Sequence, residues 1–122
     1  MNQLEKEPKV FELEERTALF AKRIRDFCLK LPKNAANFEY IPQLLRSGSS
    51  PGANYIEANE SIGVKDFKMK IKTCRRESKE TAYRLGLVII DESSQQEKER
   101  IYLQNEAKEL KLIFNAILMK TN

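Results

Sequence analysis

The sequence predicts an all-α fold, an antiparallel up-down-up-down four-helix bundle with a kinked second helix. Three observations predict it. Four segments place apolar or small residues at alternating spacings of three and four, the period of a packed helical seam. Only four Gly and four Pro occur in 122 residues, while Leu, Ile, Lys, Glu and Ala recur throughout. No run of Val, Ile or Thr alternates with period two, so no sheet is expected.

The first helix is expected over about 10–31. Val10, Leu13, Thr17, Phe20, Ile24, Phe27 and Leu31 form its seam. Glu12, Glu14 and Glu15 lie near its start and Lys22, Arg23, Arg25 and Lys30 near its end, the distribution that suits the helix dipole. Pro32 closes it, because a proline pushes the preceding residue out of the α region.

The second helix is expected over about 38–60, with Asn37 as its N-cap. Phe38, Ile41, Leu45, Gly48, Gly52, Tyr55 and Asn59 keep the alternating spacing. Its middle, Ser47-Gly48-Ser49-Ser50-Pro51-Gly52, has the composition of a loop. A proline inside a helix costs about 3 kcal/mol. The seam nevertheless keeps its phase across this stretch, which favours one kinked helix whose small residues admit a neighbouring backbone. The alternative is two short helices joined by a Ser/Gly turn.

The third helix is expected over about 64–90, with Val64, Phe67, Ile71, Cys74, Ser78, Thr81, Leu85 and Val88 on its seam. The fourth is expected over about 97–121. Leu103, Ala107, Leu110, Phe114 and Ile117 form its seam, widened by Ile101, Ile113 and Leu118. Each helix spans roughly 30 Å. Short connections between long helices make neighbours antiparallel. One domain occupies residues 1–122, since the length suits one ordinary domain and not two.

Composition narrows the function. There is no histidine, which removes most metal sites and the usual nucleophile–base pairs. No Gly-rich phosphate loop is present. We therefore expect no catalytic residues, no metal and no cofactor. The absence of a long apolar run argues against a membrane span, and the charged N-terminus is unlike a secretory signal. Cys28 and Cys74 read as free buried thiols in a reducing cytoplasm.

Two motifs carry a resemblance. Gln43-Leu44-Leu45-Arg46-Ser47-Gly48-Ser49-Ser50-Pro51-Gly52-Ala53-Asn54-Tyr55-Ile56-Glu57-Ala58 resembles the QLxRSxxSxxxNxxEA signature of the 23S ribosomal-RNA intervening-sequence protein family. Members of this family were first noticed in insertions within large-subunit rRNA genes. Asp66-Phe67-Lys68, followed by Arg76-Glu77-Ser78-Lys79-Glu80-Thr81, resembles the family's DF…KExxET pattern. The match covers the second and third helices; the outer two correspond by type. The departures are Gly48 and Gly52, where bulkier small residues are common. The resemblance implies a four-helix bundle assembled as a homo-oligomer, often a ring-shaped homopentamer. It also implies a largely uncharacterised role, with RNA or DNA binding commonly suggested. Related proteins act as accessory factors of reverse transcriptases. Arg46, Ser47, Asn54, Glu57, Glu77 and Glu80 are the motif positions to which the resemblance gives a structural role.

The charge pattern adds its own indication. The chain carries a formal net charge of +4. Between Val64 and Gly86, eight basic side chains face three acidic ones, a local +5. Lys65, Lys68, Lys72, Arg75, Arg76 and Lys79 fall on one side of the third helix at helical spacing. Such a stripe can track phosphates without reading sequence. The plainer reading is a solvated face that keeps the bundle soluble. Few aromatics interleave with the stripe, so base stacking is not predicted.

A second cluster joins Asn54 and Glu57 with Glu77, Glu80 and Arg84. Register or subunit pairing is favoured for it over acid–base or divalent-ion chemistry. Tyr40, Tyr55, Tyr83 and Tyr102 could each anchor a subunit contact or pack within the monomer. A protein partner, docked on apolar residues outside the seams such as Ile56, Leu87, Ile89 and Leu118, is the alternative to nucleic acid.

Overall fold

The computed structural model describes residues 2–122, with side chains from residue 12 onward. It consists of four helices: α1 (Asn2–Leu29), α2 (Ala35–Asn59), α3 (Val64–Leu87) and α4 (Ser94–Lys120). Each of α1 and α3 packs against both α2 and α4. Among the described residues the backbones of the diagonal pairs do not approach, so the cross-section is a square whose diagonals meet only through core side chains. Cross-helix contacts fix the direction. Along α1–α2, Glu14 bonds Asn59, Thr17 meets Gly52 and Ile24 meets Gly48, one number rising as the other falls. Along α2–α3, Gln43 pairs with Arg84, Pro51 with Cys74 and Glu57 with Lys70. The bundle is antiparallel throughout.

The core is continuous. Phe20, Ile24, Leu44, Ile71, Leu85, Leu103, Leu110 and Phe114 are almost fully buried, and Tyr55 leans on Phe114 with ring centroids 5.9 Å apart. The seams of α1, α3 and α4 follow the expected residues, except that Val64 and Ile101 are exposed. The expected seam residue Val10 lies outside the described side chains.

α2 is one unbroken helix through Ser47–Gly52. Small residues are the physical reason. A Cβ on Gly48 would lie 3.0 Å from Ile24 Cγ2, and one on Gly52 would lie 2.9 Å from Thr17 Oγ1. α1 therefore rests almost on the α2 backbone. On the adjoining side, Ser47 and Pro51 are buried, and Cys74 Sγ donates to the Pro51 carbonyl at 3.3 Å.

The inward face of α2 differs from the expected one. Asn37, Leu44, Ser47, Gly48, Pro51, Tyr55 and Ala58 are buried, whereas Phe38 is 78% exposed and Leu45 is also exposed. α2 must bury an arc against both α1 and α3, and the small polar residues Asn37 and Ser47 fill it. Asn37 is accordingly not the N-cap. Asn34 is, its side chain accepting from Asn37 N.

The helix ends also differ from the expected boundaries. α1 begins at Asn2 rather than near Val10, and α2 at Ala35. α3 stops at Leu87, where Val88 turns extended and the residues around it are pinned from outside. Asn37 Nδ2 donates to Ile89 O, Ile89 N donates to Asn37 Oδ1, and Arg100 donates to Val88 O. α4 starts at Ser94, one turn early, with Ser93 accepting from Gln96 N as its cap.

Two buried amides bolt this end of the bundle together. Asn37 Nδ2 also donates to Pro32 O, so it ties the α1–α2 connection to the end of α3. Gln96 donates to Lys30 O and accepts from Asp91 N, tying the α3–α4 connection to the end of α1. Every polar atom on these two side chains is used on backbone groups of the two connections, which have no helical partner.

Candidate nucleic-acid interface

The basic residues of α3 form one face. At 100° per residue, Lys65, Lys68, Lys72, Arg75, Arg76 and Lys79 fall within about a third of the helix circumference. Lys65, Lys72, Arg76 and Lys79 are exposed; Lys68 and Arg75 are half-buried. Among the described residues, Lys65, Lys68, Lys72 and Lys79 make no ion pair. Arg76 reaches Glu77 only at 3.6 Å.

α4 extends this face. Arg75 Nη1 donates to Asn115 Oδ1 at 2.8 Å, which holds the guanidinium across the α3–α4 seam. Beside it, Arg75, Arg76, Lys79, Lys111, Leu112 and Asn115 line an open groove of about 540 Å³. Lys111 and Leu112 were not expected at the site. The signal was present in α4, whose charges segregate by flank. Glu99 and Glu106 face α1, while Lys111 lies on the flank nearer α3.

On the α1 side the charges are consumed. Arg16 makes a two-pronged pair with Glu106, 2.7 and 2.9 Å. Arg23 does the same with Glu99, 3.1 and 2.7 Å, and its guanidinium carbon lies 3.7 Å from the Tyr102 ring centroid. Hydrogen bonding to Glu106 and Glu99 raises the pKa of each arginine. These cations are fixed as structural pairs, and the surplus positive charge is left on α3 and its border with α4.

The six motif positions do not form one cluster. Asn54 donates to Ser50 within its own helix, and Glu57 takes the Lys70 ammonium at 2.9 Å. Glu77 is 7% exposed, with no hydrogen-bond partner for its Oε1 among the described residues. Arg84 turns to Gln43. No bond links Asn54 or Glu57 to Glu77, Glu80 or Arg84. Ser47 is buried in the α2 seam, and Arg46 and Glu80 lie nearer the surface.

Cys28 and Cys74 are free and buried; burial pushes both thiols up to about 12, so neither is a ready nucleophile at neutral pH. Among the described residues, no three His, Cys, Asp or Glu side chains converge on a point that could hold a metal. No described helix is long and apolar enough to cross a membrane.

A solved structure resembles this one closely. It is a protein of unknown function from the S23 ribosomal protein family of Bacteroides thetaiotaomicron, 29% identical to this chain. The match covers 92% of this chain and 99% of that one, with a TM-score of 0.78. No family model matches the sequence, and no curated protein matches it.

Proposed function

We propose that this protein is a non-enzymatic member of the ribosomal-RNA intervening-sequence family that binds RNA or DNA through the α3–α4 face. The observation that carries the reading is the run of unpaired cations, Lys65, Lys68, Lys72 and Lys79, continued by the basic groove at Lys111. The opposite flank of α4 supports it by contrast, because there the same residue types neutralise each other. Phosphates are the partner that such a surface suits, and backbone tracking gives sequence-tolerant binding. The motif resemblance and the similarity to an S23-family protein support the family reading. Assembly as a homo-oligomer, which the resemblance implies, would repeat the face and strengthen a weak contact by avidity. The cytoplasm is the compartment in which such a partner and two free thiols fit together.

Fluorescence anisotropy with labelled RNA and DNA across a salt series tests this, with the mass followed by light scattering. About five neutralised phosphates give a log–log salt slope near −3.5 on a single strand and about −4.5 on a duplex. Changing Lys65, Lys68, Lys72 and Lys79 together to Glu should remove binding while mass and helicity stay unchanged. Absence of binding by the parent protein even at low salt would sink the proposal.

That negative result would favour a second reading, a scaffold that docks a protein such as a reverse transcriptase. An open groove of about 910 Å³ at the α1–α2 end supports it, with Leu29, Phe38, Ile41 and Pro42 on its walls.

A further inference from the structure

The outward line of α3 is not purely basic. Lys65, Met69, Lys72, Arg76, Lys79 and Tyr83 follow one another at spacings of four, three, four, three and four. They form a second seam on the side of the helix away from the core. Tyr83 is 67% exposed and Met69 is 60% exposed, and no hydrogen bond involves the Tyr83 hydroxyl among the described residues. Leu112, on the wall of the neighbouring groove, is exposed as well. Apolar and aromatic side chains are thus set among unpaired cations at both ends of the line and beside it.

Resting on the nucleic-acid reading, and against the sequence expectation of no base stacking, we infer that this face takes single-stranded nucleic acid in preference to a duplex, with Tyr83 as a stacking platform for one base. A duplex shows the protein its phosphates and groove edges, while its base faces stay stacked inside. It would satisfy the lysines and leave Met69, Tyr83 and Leu112 in water. A single strand supplies both parts, a phosphate backbone for the cations and free base faces for the apolar groups. A protein partner fits less well, because four of the six positions in the line are Lys or Arg, and lysine is depleted from the buried centre of protein interfaces. From Lys65 to Tyr83 the line runs roughly 27 Å. That accommodates about eight nucleotides at the stacked spacing of about 3.4 Å per strand.

The test compares a 12-nucleotide oligo(dT) and oligo(U) with a duplex of the same length, in anisotropy titrations at one fixed salt. The parent protein, Tyr83→Phe, Tyr83→Ala and the four-lysine charge reversal are measured side by side. Parent and Tyr83→Phe should favour the single strands, and Tyr83→Ala should lose about tenfold on them with little change on duplex. Tyr83 is exposed, so Tyr83→Ala is expected to fold; its helicity and its mass are recorded in the same buffers.

Equal binding of strand and duplex, or no loss in Tyr83→Ala, overturns the inference. If the charge reversal still abolishes binding in that case, the basic-face proposal stands without it. A change of oligomeric mass in Tyr83→Ala assigns the line to contacts between copies and also overturns it. No binding of any nucleic acid by the parent overturns both proposals.

Discussion

α1 has two neighbours and is held to them by different means. Against α2 it is held by proximity. Gly48 and Gly52 bring the α2 backbone up to Ile24 and Thr17, with room for no additional atom at Thr17. Against α4 it is held by reach. Arg16 and Arg23 extend to Glu106 and Glu99 over a seam that opens into a groove lined by Arg16, Leu19, Phe20, Arg23, Tyr102 and Glu106. The first seam fixes the geometry of the bundle through volume. The second uses charge at its edge, where long side chains can adjust. The difference teaches where substitutions should matter, and it also separates structural charge from available charge. Cations used to close the α1–α4 seam are paired, whereas Lys65, Lys68, Lys72 and Lys79 on α3 make no ion pair among the described residues.

The most disruptive way to test the contrast is to add volume to the tight seam. Gly52→Leu places a branched side chain where the first carbon already meets Thr17 Oγ1 at 2.9 Å and Thr17 Cβ at 3.1 Å. Thr17 cannot easily swing aside, because Oγ1 donates to Leu13 O and Glu14 O. We expect a loss of roughly 3 kcal/mol or more, or outright failure to fold. Gly86→Ala is the matched control. There the nearest atom is the flexible end of Gln104 at 3.3 Å, and better helix propensity should give up to about 1 kcal/mol of added stability. Urea unfolding of both variants reads the difference. Equal stabilities would mean that α1 and α2 can separate without penalty, which would remove the basis of the comparison.

The next effect concerns the end of the bundle, where neither volume nor paired charge is at work. Asn37→Ala leaves Pro32 O, Ile89 O and Ile89 N without their partner in a partly buried setting. A loss of about 2 kcal/mol is expected, or a drop of several degrees in Tm. Hydrogen exchange should show faster opening at Ile89, while the middle of α3 keeps its protection. Uniform loss of protection along α3 would contradict the local role assigned to Asn37.

These two sites also show what the sequence could convey. The four helices and their antiparallel order were legible because apolar spacing persists for several turns in each segment. The outward face of α3 was legible for the same reason, since charge follows the same period. The inward face of α2 was not. Phe38 and Leu45 look like core by type, yet Asn37, Ser47 and Pro51 are the buried ones. In a seam this tight, side-chain size decides burial ahead of hydrophobicity, and no single-helix pattern states how close the next helix lies. The same limit hid Lys111, Leu112 and Asn115, whose place in the site depends on α4 meeting α3 at a particular rotation. Asn54, Glu57, Glu77, Glu80 and Arg84 make no bonds to one another among the described residues, because their pairing depends on the same rotations. Asn54 and Glu77 meet neighbours in their own helices, Ser50 and Arg76, while Glu57 and Arg84 reach across the α2–α3 seam to Lys70 and Gln43; for Glu80 no partner is seen among the described residues.

The smallest expected effect lies on the charged seam. Arg23→Ala and Glu99→Ala, combined in a double-mutant cycle, measure how strongly the two side chains are coupled. Both are partly open to solvent, with side-chain exposures of 38% and 30%, so water and salt screen the pair. Two parallel hydrogen bonds and the Tyr102 ring place it at the favourable end of its class, and a coupling of up to about 1 kcal/mol is expected. Arg23→Ala should cost more than Glu99→Ala, since it also uncovers the Tyr102 ring. Raising the salt should shrink the coupling and leave the ring contribution in place. A coupling of several kcal/mol would show that α1 is held as firmly by charge as by the glycine contacts. In that event the paired arginines, and not the tight α2 seam, would set the position of α1.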